Sequence, residues 1–353
     1  MRIEIFAPSG GSWAQIQSAA RLAEAAGCAG LAVPEIDTDP FGSLVASALV
    51  TERIQLRTAI AVAFARSPME TATAAWDLHV NSGGRFGLGL GTQVKAHNVR
   101  RFSVPWTPPS PRLHEYVTAL RAIWRCWQLG ERLRFEGKHY QFTLMTPEFS
   151  PPRTDHGPIP IHTAAVRPAM MRLAGRVGNG VRLHGFCTRA YQEQVALPQL
   201  QIGLDRTGRP RERFEVCGGG FVATGPTADH ARKQAEWVRY RVAFYASTPS
   251  YWPVMETHGW GDLGRELHQM TRDGRWKEMA AKIPDDVLYT FAAVAPFADL
   301  KAAVQERFEG LSDSIELAWQ ADLEPAALAE LAQDIGAIPT RFEGHDTAWD
   351  EGL

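Results

Sequence analysis

A strand followed by a helix, repeated eight times with no break in composition, constrains this 353-residue chain more than any other feature. Apolar runs fall at 2–7, 31–34, 54–62, 86–90, 159–162, 181–183, 214–223 and 314–317, and residues of helical periodicity follow each. Ser12 and Gln15 form a capping-box pattern that opens the first helix, which carries Ile16, Ala19, Ala20 and Ala23 until Gly27 stops it. Ser110 and Pro111 open another, where Leu113, Tyr116, Leu120 and Trp124 mark an apolar stripe that is core. Pro198 is expected to bend the helix that begins near Thr188. The pattern predicts an α/β fold, a single (β/α)8 TIM barrel over 1–353, in preference to a doubly wound sheet. Helical insertions at about 130–157 and 247–285 are expected over its C-terminal mouth.

The fourth strand and its exit carry the strongest functional signal. Phe86, Leu88 and Leu90 alternate with Gly87, Gly89 and Gly91, and glycine lets a second backbone or a flat ligand come close. Thr92, Gln93, Lys95, His97 and Asn98 follow at once, and α/β folds place ligands at the carboxyl ends of such strands. The plain alternative is a tightly packed strand with a solvated loop. Other strand ends add Glu35, Asp37 and Asp39, then His162, Thr163 and Arg167, then Arg182 and His184. Arg167 stands where a helix begins, a place already positive, so a phosphate or carboxylate ligand would offset its charge; an arginine pointing into water is the alternative. Thr163, Ala164 and Ala165 are small enough to let a ligand approach. His97 and Glu35 are the expected proton carriers, since an imidazole or partly buried carboxylate can be tuned to work near neutrality. The aromatic segment 244–252 is expected either to roof an apolar pocket or to pack the insertion.

Composition excludes several classes. Thirty-seven Lys and Arg balance 39 Asp and Glu, with no basic run to track a phosphate backbone, so no nucleic-acid partner is expected. Cys28, Cys126, Cys187 and Cys217 are scattered, which signals neither a zinc ribbon nor a disulfide framework. No apolar leader and no run of eighteen apolar residues is present, so a cytoplasmic protein without a membrane span is expected. A metal-dependent barrel hydrolase is a rival class, but no H-x-H follows the first strand and no compact ligand set has plausible spacing, so no metal is assigned.

Several stretches together resemble the luciferase-like superfamily of flavin and deazaflavin oxidoreductases, in its coenzyme F420-dependent branch. They are AVAFARSPMETATAAWDL at 61–78, GRFGLGLGTQVKAH at 84–97, RFSVPW at 101–106, the helix PRLHEYVTALRAIW, the pattern P-x-M-x-R-x-A-G-x-x-G-N-G from Pro168 to Gly180, and FYASTPSYWPV with HGWGDL. The resemblance implies a deazaflavin ring at the barrel mouth and its phosphate at Ala165, Val166, Arg167 and Pro168. It implies a non-prolyl cis peptide at Ala59-Ile60 or a near neighbour, backing the ring. It also implies that Glu35 is the acidic ring contact, that Thr92 and Gln93 line the ring with His97 beside it, and that the protein is a homodimer acting on a small-molecule substrate.

Three positions depart from the family pattern. Val166-Arg167 replaces a frequent glycine pair, Ile36 replaces the histidine of sugar-phosphate-oxidising relatives, and Asn179 replaces an aspartate in a turn. The implied activity is hydride transfer at the deazaflavin C5, with His97 or Glu35 handling a substrate proton. A monooxygenase using reduced FMN and oxygen is the alternative within the superfamily. A barrel that binds F420 without turnover is the alternative outside catalysis.

Overall fold

All eight expected strands form in the computed structural model, which describes residues 1–320 and 323–349; positions 321–322 and 350–353 of the expected domain lie outside the described residues. We label them β1 (Arg2–Phe6), β2 (Gly30–Val33), β3 (Gln55–Thr58, continued by Ala61–Val62), β4 (Phe86–Gly91), β5 (Ile161–Ala165), β6 (Gly180–Leu183), β7 (Glu215–Gly218) and β8 (Ser314–Ala318). Neighbours pair in parallel in chain order, and β8 returns to β1 with Ile3 opposite Ile315, so the sheet closes as a (β/α)8 barrel. No helix among the described residues is long and apolar enough to cross a membrane.

Strand alternation sorts side chains between two environments. Ile3, Ile5, Leu31, Leu56, Phe86, Leu88, Ile161 and Leu317 face outward, where the helices bury them. Each such side chain contributes about 1.5–3 kcal/mol relative to exposure. The intervening positions face the barrel axis, and there β4 presents only glycines. A Cβ on Gly87 would touch Arg57 Cγ at 3.4 Å, and one on Gly89 would lie 1.9 Å from the Thr58 carbonyl oxygen and 3.4 Å from Arg182 Cδ. At Gly89 it is the Thr58 backbone that excludes a side chain, whereas the arginines lie at ordinary contact distance.

Helix boundaries follow their local signals. Ser12 and Gln15 make both bonds of the capping box on Trp13–Ala25, and Gly27 takes φ +72° beyond it. The long helix after β4 spans Pro109–Leu129 and ends at Gly130, φ +75°, but it opens at Pro109 with Pro108 as N-cap and no side-chain cap, two residues before the opening expected at Ser110 and Pro111. In the helix after β6, Thr188 caps Arg189–Tyr191, and a π-helical turn at Gln192–Ala196 precedes Leu197–Asp205, so the irregularity expected at Pro198 is taken up just before it.

Three expectations need correction. The fifth strand runs Ile161–Ala165, not 159–162, because Pro160 has no N–H to give a ladder. The seventh is not continuous over 214–223: Gly218 and Gly219 take φ +72° and +100° and turn the chain out of the barrel. Beyond that turn Phe221–Gly225 pairs with Ala292–Pro296 in a separate two-stranded sheet. The segment 130–157 is not the helical insertion expected: its one helical turn among the described residues is Pro147–Phe149. It forms a hairpin, Phe135–Glu136 with Gln141–Phe142, that folds back along Pro109–Leu129, where Tyr140 bonds Arg112 and stacks edge-on to Tyr116. The segment 247–285 is mainly helical, and its Tyr251 and His258 pack at the loop after β6.

Candidate active site at the barrel mouth

The interior side chains form a series of alternating charge from one end of the barrel to the other. Arg2 meets Glu215 at 2.7 Å, Arg57 lies 2.8 Å from both Glu215 and Glu4, and Arg182 lies 2.6 Å from Glu4 and from Glu316. Arg57, Glu215, Glu4 and Arg182 are buried, whereas Arg2 at the amino face is 35% exposed and Glu316 at the mouth 29%. Burial raises the Glu215 carboxyl, but Arg57, His345, Arg2 and His162 outweigh it and hold the group well below the usual range. At Glu316 the balance reverses: burial, with Glu4 adding to it, pushes the carboxyl up despite Arg182.

Two features at the amino end are structural. A cavity of about 370 Å³ there is lined by Arg2, Glu24, Cys28, Arg53 and Arg57; Arg2 and Arg57 are ion-paired, Glu24 accepts backbone N–H groups of 52–54, and Cys28 is buried. His162, Glu215 and Cys217 bring ligand atoms within 4.8 Å of one another, but Arg2 and Arg57 already engage the two Glu215 oxygens. The four cysteines are free, and Cys28, Cys187 and Cys217 are buried.

At the opposite end the strand termini surround a floor of small and apolar groups. The Ala59-Ile60 peptide is cis, as the resemblance implied. It interrupts β3, and the Ile60 side chain lies over Gly91, where a Cβ would come within 2.4 Å of Ile60 Cδ1 and 3.6 Å of Ala164 Cβ. Ala59, Ile60 and Ala164 are half-buried. Glu35 braces this floor: its carboxylate accepts the Val62 N–H at 2.7 Å and pairs with Arg66 at 2.6 Å, while Arg66 also binds Asp39. Glu35 is thus fixed beside the cis peptide by two donors on one oxygen, a holding arrangement.

Beyond β4, Thr92 and Gln93 are half-buried, and Gln93 takes φ +56°, a region uncommon for a residue with a side chain and frequent at binding sites. Buried Asn98 ties this loop by donating to the Thr92 and Val94 carbonyls. His97 is exposed on the short helix Lys95–Arg100, away from that buried network. Beyond β5 the alternation splits the expected cradle. Ala164 faces the mouth, but Thr163 and Ala165 are buried with their side chains toward the helical layer, so those side chains do not line it. Val166 is half-buried and its carbonyl accepts the Tyr191 hydroxyl at 2.8 Å. Arg167 is the exposed N-cap of Pro168–Val177, with Pro168 at the first turn, and among the described residues it has no carboxylate partner.

His184, beyond β6, lies against Tyr245 and Tyr251 with ring centroids 4.2 and 5.1 Å away. Its Nδ1 accepts the Phe186 N–H at 2.8 Å, which puts the ring proton on Nε2. Burial, then the Arg241 charge, lowers its pKa to about 3, so the ring is neutral at physiological pH. Glu316 was not among the residues expected at the site. The signal was present: Glu4, Arg182 and Glu316 each sit between two of Ile, Leu or Val, while Arg57 follows Leu56 and Glu215 lies between Phe214 and Val216. A charge alternating with apolar residues in a strand covered by helices must face the axis.

A closed barrel whose carboxyl ends hold a cis peptide, a floor of small groups and an unpaired rim arginine is a ligand-binding enzyme scaffold. The chain matches the luciferase-like monooxygenase family over residues 1–314 and belongs to it. An uncharacterised protein of Mycobacterium tuberculosis is 44% identical over 282 residues, 80% of this chain and 83% of that one. A 5,10-methylenetetrahydromethanopterin reductase of Archaeoglobus fulgidus is 27% identical over 258 residues, 71% and 73% of the two chains. Among solved structures, the coenzyme F420-dependent tetrahydromethanopterin reductase of Methanopyrus kandleri superposes with a TM-score of 0.77 at 19% identity, over 95% of this chain and 98% of that one. The long-chain alkane monooxygenase LadA superposes with a TM-score of 0.70 at 12% identity, over 99% and 94%.

Proposed function

We propose that this protein is an F420-dependent oxidoreductase that passes hydride between the deazaflavin C5 and a small organic substrate. The floor of half-buried Ile60 and Ala164 over buried Gly91, with Arg167 at the rim lacking a carboxylate partner among the described residues, carries this reading. Such a surface suits a flat ring with an anionic tail: small side chains admit the ring, and the rim cation at a helix N-terminus suits a phosphate. The F420 dependence of the Methanopyrus reductase, which shares the fold, supports the choice of ring. When bound, the cofactor supplies or accepts the hydride. The chain's part is placement: Glu35 and Arg66 hold the floor, Gln93 and Asn98 hold the loop after β4, and Arg167 meets the tail. Assembly as a homodimer belongs to the same proposal.

Reduced FMN with oxygen is the second reading, favoured by the likeness to LadA. Fluorescence titration with F420, and separately with FMN, distinguishes the two. Submicromolar F420 binding is expected, weakened at least tenfold by Arg167→Glu, which is about 1.4 kcal/mol. Submicromolar FMN binding with no F420 binding would overturn the proposal.

A further inference from the structure

The interior charge series reaches solvent at the mouth through one carboxylate. β6 and β7 pair Arg182 with Cys217, and β7 and β8 pair Cys217 with Ser314. Glu316 follows Ser314 by two positions on β8, so its side chain also faces the axis, one step nearer the mouth. Arg182 holds Glu316 Oε1 at 2.6 Å, and no hydrogen bond among the described residues engages the other oxygen. The side chain stays 29% exposed although its arginine partner is only 4% exposed. By contrast Glu35 is locked by Arg66 and the Val62 amide, and His97 stands out in solvent.

We propose that Glu316 is the proton-carrying residue of the site, with Arg182 as its positioning residue. The proposal rests on the F420 reading. A substrate carbon that surrenders hydride to the deazaflavin must also lose a proton from its attached oxygen or nitrogen, so that a C=O or C=N bond forms. The Glu316 carboxylate takes that proton and passes it to water at the mouth. In the reverse direction the Glu316 carboxyl supplies the proton as hydride reaches carbon. The groups facing Glu316 are Arg182 on β6 and Glu4 opposite it on β1. A carboxyl raised by burial and by Glu4 holds a proton at a pH where ordinary glutamates have lost theirs.

The test uses the full chain, first without cofactor. Infrared titration of wild type should show a carboxyl that stays protonated above the usual glutamate range, a signal lost in Glu316→Gln and restored in Glu316→Asp. F420 affinity, read by fluorescence, should change with pH over that same range in wild type and stay flat in Glu316→Gln. Persistence of the signal in Glu316→Gln, or F420 affinity with the same pH dependence in both proteins, would overturn the role of Glu316. Failure of every variant to bind F420 would instead overturn the cofactor reading, whatever the carboxyl titration showed.

Discussion

Arg182 crosses the barrel from β6 to Glu4 on β1, 2.6 Å away, with both side chains almost fully buried. Gly89 lies alongside it, at a position where a Cβ would reach Arg182 Cδ only at an ordinary 3.4 Å but would lie 1.9 Å from the Thr58 carbonyl oxygen. Most barrel interiors are filled by branched apolar residues. Here three arginines and three glutamates do it, and the mouth inherits its carboxylate from that series.

Removing the cation should therefore cost far more than removing the mouth carboxylate. Arg182→Met leaves Glu4 buried beside Arg57 alone, and breaking a buried pair typically costs about 3–5 kcal/mol. Glu316→Gln keeps an acceptor for Arg182 and is expected to cost less than about 1 kcal/mol. Urea unfolding of the two variants measures the contrast, and equal losses would contradict it.

Stability should depend on pH with two opposite signs. Glu215 is held well below its usual range, so its contribution is present above the unfolded carboxylate value and is lost as pH falls through the folded one. Glu316 is raised, so the native state binds its proton more tightly, and stability falls as pH rises from the unfolded value through the folded one. Thermal unfolding against pH should show a steep acid limb that survives in Glu316→Gln, while the decline above the usual carboxylate range flattens in that variant.

The two mouth-side glycines of β4 should respond differently to alanine. At Gly89 the new methyl meets the Thr58 carbonyl at 1.9 Å, backbone that cannot move aside, and a loss of at least about 3 kcal/mol is expected. At Gly91 it meets the end of the Ile60 side chain at 2.4 Å, which can rotate, so about 1 kcal/mol is expected. The displaced Ile60 then intrudes on the floor. Gly91→Ala should accordingly lower F420 affinity at least tenfold while remaining folded, as paired unfolding and binding measurements would show.

The strand–helix order was legible because eight apolar runs and their caps are local signals, and Ser12, Gly27 and Gly130 act where they stand. What escaped was set by tertiary geometry. The Phe214 to Ala223 run is apolar at both ends but holds three consecutive glycines, and Gly218 and Gly219 divide it between the barrel and an outer sheet. Arg167 and Glu35 are legible from their strand ends, and Ile60 only through the family resemblance. Which side of β5 its residues face is not legible, because a register placed two residues early left Thr163 and Ala165 as loop when they are buried strand. Glu316 was passed over because no motif surrounds it; only its pairing with Arg182, 134 positions earlier, gives it a role.

A crystal of the protein soaked with F420 tests the central claim most directly. The account predicts density for the tricyclic ring on the floor of Ile60, Gly91 and Ala164, the phosphate beside Arg167, and Glu316 facing the ring's reactive edge. Density at the amino-end cavity instead, or a mouth that stays closed to the cofactor while Arg167 points to the opposite rim, would contradict it.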